Sequence, residues 1–457
     1  MPNIVDVLGV AVGTGNVLTG DEIPDDYTHD EALTAEPVRP LAVVRPADAI
    51  EVAAVLRIAD ELRVPVTARG AGTGLSGACI PRADGICLSL ERMHRIVEID
   101  TENHVAVVEP GVTLDQLDEA TAAHGLVYPV YPGENSASLG GNVATNAGGM
   151  RAVKYGVTRH QVLGLEAVLP SGDIIRTGGK FVKATTGYDL TQLIIGSEGT
   201  LAIVTQAVLK LYPRPAHSAT VLAPFRTLDD VASAVPRIVN SGVGPLILEY
   251  IDAVSMAATT ANVGLDLGIP ADVQEAALAY LVVVMEQHRG DRLDEDVATV
   301  AELLSTLGAL DVYVLPPQPA AQLLDAREKA FWVAKQHGAN DIIDVVVPRA
   351  SVPEYLATVA QIAQEHQTWV AGAGHAGDGN VHLSVFQPDE EQRHKVMRAI
   401  LEAGLAMGGA LSAEHGIGKE KRRYFLELED PAKIGLMRRI KAAFDPNGIL
   451  NPGTLLD

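Results

Sequence analysis

Two histidines, His375 and His382, stand on either side of Ala376-Gly377-Asp378-Gly379-Asn380-Val381. Imidazoles and carboxylates hold borderline divalent cations and move protons near neutral pH. Asp378-Gly379 is a two-residue hairpin signal, because a type I′ turn needs φ > 0 at both central positions. Such a turn pairs 377 with 380, 376 with 381 and 375 with 382. The imidazoles then face each other directly across two strands, with Cβ atoms roughly 4.5–5.5 Å apart. At that distance they can share one divalent metal, zinc or a similar ion such as manganese or iron. The plain alternative is two polar histidines at a strand end. Against it, Glu414-His415-Gly416-Ile417-Gly418 supplies a carboxylate and a third imidazole just before a glycine-rich turn.

The elements around these residues read consistently. Val381, Leu383 and Val385 alternate with His382, Ser384 and Phe386, the period of a strand with two distinct faces. Far upstream, Leu41–Val44 predicts a strand, Ala47–Leu62 a helix with Asp48 near its start, and Pro65–Ala68 a second strand. That order is a βαβ unit, hence right-handed and locally parallel. It runs into Arg69-Gly70-Ala71-Gly72-Thr73-Gly74-Leu75-Ser76-Gly77. Gly72–Gly77 matches G-x-G-x-x-G, but a dinucleotide loop must open a crossover helix. Here Pro81 and Asp84-Gly85 intervene, and Ile86–Leu90 is already the next strand, so that reading is rejected. The glycines can instead form a nest of backbone N–H groups around a pyrophosphate.

A second small-residue stretch runs from Pro132 to Gly149 and contains Ser138, Gly141, Asn142, Thr145, Asn146 and Gly148. A third joins Gly187-Tyr188-Asp189-Leu190 to Gly196–Thr205, with Glu198, Gly199 and Ile203. Glycine lets a backbone lie close against a flat or phosphorylated ligand. Between these stretches, Thr113 caps a helix that Gly125 ends, and Pro170–Asp173 turns a hairpin. From Pro215 onward, helices (227–240, 271–279, 294–308) alternate with apolar strands (246–250, 280–285, 311–315).

The motifs Gly374–His382 and Ser412–Gly418 resemble the C-terminal half of the FAD-linked 2-hydroxyacid dehydrogenases, a group that includes the D-lactate dehydrogenases and the flavin subunit of glycolate oxidase. The three loops, over roughly residues 37–215, resemble the FAD-binding domain of the vanillyl-alcohol oxidase and p-cresol methylhydroxylase superfamily. The resemblance implies an α+β fold: an arm at 1–36, a PCMH-type FAD-binding domain at 37–215, an α/β cap with the metal site at 216–415, and a helical segment at 416–457 that returns to the flavin. FAD would lie on Arg69, Gly70, Ala71, Gly72, Thr73, Gly74, Gly77, Pro132, Ser138, Gly141, Asn142, Thr145, Asn146, Gly148, Glu198, Gly199 and Ile203. Asn451 would approach the isoalloxazine, though Phe444–Gly453 reads equally as a Pro/Gly-rich helix stop. No histidine or cysteine lies in Arg69–Gly77, so FAD is expected to be non-covalent. Ala202 departs from the glycine usual in relatives.

The chemistry expected is oxidation of a D-2-hydroxy acid to its 2-oxo acid, with hydride passing to flavin N5. A metal at His375, His382 and Glu414 would orient the hydroxyl and lower its pKa. By resemblance His415 is the base. Arg327 is nominated as the carboxylate clamp, since an arginine fork grips a carboxylate in two places. Positions three and four away hold Leu323, Leu324, Ala330 and Phe331, so no helical ion pair explains it. Relatives acting on dicarboxylic acids carry a lysine where this chain has Ile342-Ile343. That favours D-lactate or glycolate, unless Lys335 or Arg349 substitutes. Rival readings are a 2-hydroxyglutarate-type dehydrogenase, an oxidase using O₂ directly, a metallohydrolase and a catalytically silent electron-transfer subunit.

Composition narrows the classes further. At 457 residues, 47% hydrophobic and 20% charged, the chain is globular and long enough for two or three domains. A net charge of −23 argues against nucleic acid. No apolar run approaches the roughly 18 residues of a membrane span, and residues 1–36 have no Lys or Arg for a targeting signal. With only Cys79 and Cys87, the expected place is the cytoplasm. The electron acceptor (quinone, cytochrome or electron-transfer flavoprotein) and homodimer formation stay open.

Overall fold

The computed structural model describes residues 4–456. Residues 1–3 of the expected N-terminal arm and Asp457 of the C-terminal segment lie outside them. The fold is mixed α+β; the described residues form four sheets, a small pair of Leu126–Val127 with Tyr212–Pro213 and three larger ones arranged around one cleft.

The first sheet has four strands in the order Val17–Leu18, Ala42–Val44, Ile86–Ser89, Val66–Arg69. The last three are parallel, and the strand after the glycine loop inserts between the two that flank the helix. That helix, Ala49–Leu62, starts where Asp48 accepts from the Ile50 and Glu51 N–H groups at 2.9 Å. It stops at Arg63, which adopts a left-handed conformation. Residues 4–36 are not a free arm. Helix Ile4–Val12 buries Leu8 in this domain's core, and Val17–Leu18 forms the antiparallel edge of its sheet. Apolar residues at helical spacing in 4–12 outweigh the acidic composition of the segment.

The second sheet is antiparallel, in the order Ile96–Asp100, Val105–Val108, Ile203–Lys210, Val162–Val168, Ile174–Gly178. It presents the second and third small-residue stretches to the cleft.

The third sheet begins at His217. It has seven antiparallel strands, ordered Tyr313–Leu315, His217–Phe225, Ala279–Gln287, Ile247–Asp252, Trp369–His375, Asn380–Phe386, Asp341–Val346. One face packs on helices Leu228–Asn240, Gly290–Thr306, Val352–Glu365 and Glu390–Ala406. Val381, Leu383 and Val385 point that way, so His382, Ser384 and Phe386 point into the cleft.

The hairpin between 375 and 380 differs from expectation. His375 pairs with Asn380 and Ala373 with His382, leaving a four-residue loop, Ala376–Gly379. Only Gly379 has positive φ, at +91°, so the turn is not type I′. A Cβ at Gly379 would strike the Val347 carbonyl. The expected register is thus out by two residues. A two-residue shift keeps every side chain on its face, so the histidines are diagonal neighbours, with ring centroids 4.8 Å apart.

The C-terminal stretch returns to the first sheet. Val66 N–H donates to the Ile449 carbonyl and Asn451 N–H to the Val66 carbonyl, each at 2.8 Å. Among the described residues, no helix is long and apolar enough to cross a membrane.

Candidate active site

The cleft has a volume of about 480 Å³ and runs between the glycine loops and the second face of the seven-stranded sheet, which also carries helices Ala253–Val263 and Pro317–Glu328. On the first wall, a Cβ at Gly70 would overlap Ser138 Oγ. That hydroxyl accepts from both Ala71 N–H and Gly141 N–H at 3.3 Å, tying the first loop to the second. Of the residues expected to hold FAD, Arg69, Gly70, Ala71, Gly72, Thr73, Gly74, Pro132, Ser138, Gly141, Asn142, Thr145, Gly148, Glu198, Gly199, Ile203 and Asn451 line this cleft. Gly77 and Asn146 stand outside it. Gly77 packs near Glu420, and Asn146 ends helix Leu139–Thr145 in a left-handed conformation while accepting from Arg159 N–H.

Glu198 faces away in its function. Its buried carboxylate accepts from Ile417 N–H at 2.9 Å and Gly418 N–H at 2.7 Å, joining the third loop to the Glu414–Gly418 turn. Burial lifts its pKa to about 7 against the downward pull of those N–H groups. Asn451 donates to the Ala78 and Glu198 carbonyls at 2.9 and 2.7 Å. Its Oδ1 and the Nδ2 of Asn142 are buried without a protein partner. Unpaired polar atoms on a glycine-walled cleft are what a polar planar cofactor requires.

On the opposite wall, His375 Nε2 and His382 Nε2 lie 3.2 and 3.1 Å from the same oxygen, Glu414 Oε1. Ligands at about 2.0–2.1 Å from a tetrahedral zinc stand roughly 3.3 Å apart, so each imidazole nitrogen stands at ligand-to-ligand spacing from the Glu414 oxygen. Each imidazole has a carboxylate behind it. Glu249 Oε1 is 2.5 Å from His375 Nδ1, and Asp344 Oδ1 is 3.6 Å from His382 Nδ1. At His375 the hydrogen-bonded carboxylate fixes the tautomer that leaves the Nε2 lone pair free for a metal, whereas His382 Nδ1 is buried without a hydrogen-bond partner. Despite the opposing effect of burial, Glu249 and Glu414 hold the His375 pKa well above its ordinary value. Glu414 is also buried, yet His375 and His382 hold its pKa well below the usual carboxylate range.

Asp344, His382, Glu414 and His415 can also each bring one donor atom within 4.8 Å of the others. Asp344, however, is already engaged. Its Oδ2 accepts from Ser412 Oγ at 2.6 Å and from the N–H groups of Ala413, Glu414 and His415 at 3.1, 3.1 and 2.8 Å. Its Oδ1 accepts from Asn380 at 3.0 Å. Asp344 therefore supports the turn that carries Glu414 and His415. His415 stacks on His382, with centroids 5.0 Å apart and planes at 23°. Burial pulls its pKa down to about 4 against the nearby Asp344 carboxylate, leaving it neutral at pH 7.

Arg327 lines the cleft from helix Pro317–Glu328. It has an acidic partner, though not one on its own helix: Glu249 Oε2 lies 2.9 Å from the guanidinium. Glu249 therefore joins the arginine to His375. Neither Lys335 nor Arg349, offered as substitutes for the missing lysine, lines the cleft. Lys335 pairs instead with Glu31 at 2.8 Å.

Glu249 and Asp344 escaped sequence reasoning. Each sits inside an apolar strand, Ile247–Asp252 and Asp341–Val346, and each is fully buried. An acid embedded in an apolar run is the signal that marks them, because a buried charge persists only with a partner.

Comparison with known proteins gives the family. The FAD binding domain family matches residues 40–178, and the family of FAD linked oxidases, C-terminal domain, matches residues 214–455. The chain is 58% identical to an uncharacterized FAD-linked oxidoreductase of Mycobacterium tuberculosis, over 97% of each chain. It is 38% identical to a D-lactate dehydrogenase of Archaeoglobus fulgidus, over 94% of this chain and 96% of that one. Its fold matches a p-cresol methylhydroxylase with a TM-score of 0.80 at 19% identity, covering 98% of this chain and 95% of the other. The protein with these glycine loops and this histidine–carboxylate cluster belongs to the FAD-linked oxidase family.

Proposed function

We propose that this oxidoreductase uses non-covalent FAD to oxidise a D-2-hydroxy monocarboxylic acid to the 2-oxo acid, with D-lactate and glycolate as the simplest substrates. The observation that carries this reading is the convergence of two imidazole Nε2 atoms on one Glu414 oxygen, beside the glycine-walled cleft. The likeness to a D-lactate dehydrogenase supports the substrate class. Ile342 in place of a lysine supports a monocarboxylate.

When bound, FAD supplies the two-electron acceptor and a divalent cation at His375, His382 and Glu414 supplies a Lewis acid. Arg327 grips the substrate carboxylate and so fixes the C2–H bond in the cleft. His415, neutral and beside the cluster, takes the hydroxyl proton. Glu249 holds both Arg327 and His375, so the clamp and the cluster keep one spacing. Electrons leave to a quinone, cytochrome or electron-transfer flavoprotein in the cytoplasm.

The test is anaerobic bleaching of the flavin by D- and L-2-hydroxy acids. D-lactate or glycolate should bleach it, and L-lactate should not. If no 2-hydroxy acid bleaches the wild-type flavin, the electron-carrier reading replaces this one.

A further inference from the structure

The cleft continues past the histidine cluster. On the hairpin Trp369–His375 and Asn380–Phe386, alternate residues share the cleft face. Read from the turn outward, His375 and His382 come first. Small side chains follow: Ala373 and Ala371 on one strand, Ser384 on the other. Trp369 and Phe386 end the row as register partners, stacked with centroids 4.3 Å apart at 29°. Ile342, the partner of Ser384, continues the floor sideways. The result is a trough about 14 Å long from His382 to Phe386, at roughly 3.4 Å per residue. Phe331 and Trp332, packed edge to face at 5.3 Å, contribute to the same cleft from helix Ala330–Gln336.

This stretch carries no charge of its own. Lys335 lies over the Trp332 ring, 5.2 Å from its centroid, at the rim and not on the floor, and is paired with Glu31; the Nδ1 of His337 is engaged by the Val333 carbonyl at 2.8 Å. Yet the aromatic end is open to solvent: Trp369 is 51% exposed and Trp332 37% exposed. Large aromatic rings held exposed at the end of a trough of small residues are costly in a free protein, unless a ligand covers them.

We infer that the trough is a subsite for an extended apolar substituent at C2 of the substrate, an alkyl chain of medium length or an aryl group. The inference rests on the proposed function for the hydroxycarboxylate head, held by Arg327 and the histidine cluster, and adds the tail. A methyl group, as in D-lactate, leaves the trough empty. A second carboxylate finds no cation on its floor. An apolar tail covers Ala371, Ser384 and Ile342 and reaches the Trp369–Phe386 pair.

The experiment follows anaerobic flavin reduction in the FAD-loaded enzyme and compares the reduction rate divided by the apparent dissociation constant across D-lactate, D-2-hydroxyglutarate, D-2-hydroxyoctanoate and D-3-phenyllactate. The last two should exceed D-lactate by about tenfold or more, since even a single methylene in a fitted pocket is worth roughly that much. Ala371→Phe fills the trough and should cut the octanoate-to-lactate ratio about tenfold; Trp369→Ala should cut it too. FAD absorbance of each variant reports whether the fold is kept. Equal efficiency for D-lactate and the apolar acids overturns the subsite and leaves the proposed function standing. Trp369→Ala changing FAD affinity but not the ratio also overturns it, making the ring pair a flavin neighbour. No bleaching by any of the four acids or by glycolate overturns the proposed function itself.

Discussion

On the glycine-loop side of the cleft the surface is mainly backbone; on the side of the seven-stranded sheet it is side chain. Gly70 faces Ser138 with no space for a Cβ, and the loops are set by such close approaches. Across the cleft, Glu249 is hydrogen-bonded to the His375 imidazole, and Asp344 lies 3.6 Å from the His382 ring and holds the His415 backbone. Glycine-built surfaces tolerate little added volume, whereas carboxylate-held imidazoles tolerate little change of charge. The two walls meet at Gly148, where a Cβ would stand 2.7 Å from Glu414 Oε2. They meet again where Tyr131 donates to Glu328 at 2.9 Å.

Charge-based positioning should fail most steeply. His415→Ala should slow anaerobic flavin reduction by about 10²–10⁴-fold, the usual contribution of a placed proton acceptor, while keeping FAD and metal. Wild-type reduction rates in that variant would move the base elsewhere. Next comes Glu249→Gln, which keeps the shape and removes the charge behind both His375 and Arg327. Its metal affinity should fall about 10–100-fold, read by metal content after dialysis, and substrate binding should weaken alongside. Unchanged metal and substrate binding would reduce Glu249 to packing.

The flavin wall should answer to volume. Gly70→Ala forces the first loop off Ser138, an overpacking cost of about 1–3 kcal/mol. It should appear as lost FAD occupancy with metal content retained; if both cofactors leave together, the walls are not separable. The smallest effect belongs to the seam. Burial lifts the Glu328 pKa to about 7, above its ordinary 4.5, against the downward pull of the Tyr131 hydroxyl. A raised folded-state value means a stabilising contribution complete below pH 4.5 and lost as the pH rises through 7. Wild-type Tm should therefore fall further than that of Glu328→Gln between about pH 5.5 and about pH 8.5. Parallel curves would show that Glu328 does not titrate there.

The same division explains what could be read from the chain alone. Glycine clusters announce close backbone approach wherever they occur, so the loops were legible before their partners were known. His382 was placed on the correct face by its alternation with Val381, Leu383 and Val385, even though the turn geometry differed. The turn misled because Asp378-Gly379 favours a tight hairpin locally, while packing beneath the Val347 carbonyl selects a longer loop. Glu249 lies 126 positions from His375 and 78 from Arg327. The sheet order, which sets Ile247–Asp252 against Trp369–His375, brings Glu249 to His375, and helix Pro317–Glu328 brings Arg327 to the same carboxylate. The acidic composition of residues 4–36 hid a helix whose apolar stripe docks on Ala49–Leu62.

Asn451 bonds to the carbonyls of Ala78 and Glu198, 373 and 253 positions earlier. On the ribosome, every glycine loop therefore emerges long before the residue that fastens two of them. Closure across such separations is slow, because loop entropy is lost before contacts form. Until then, a nascent chain with its flavin loops unfastened exposes apolar surface of the kind that chaperones cover. Cofactor capture is thus expected to be a post-translational event, timed by release of the C-terminal segment. Refolding with and without FAD should show it as a late phase that disappears when Asn451 is replaced.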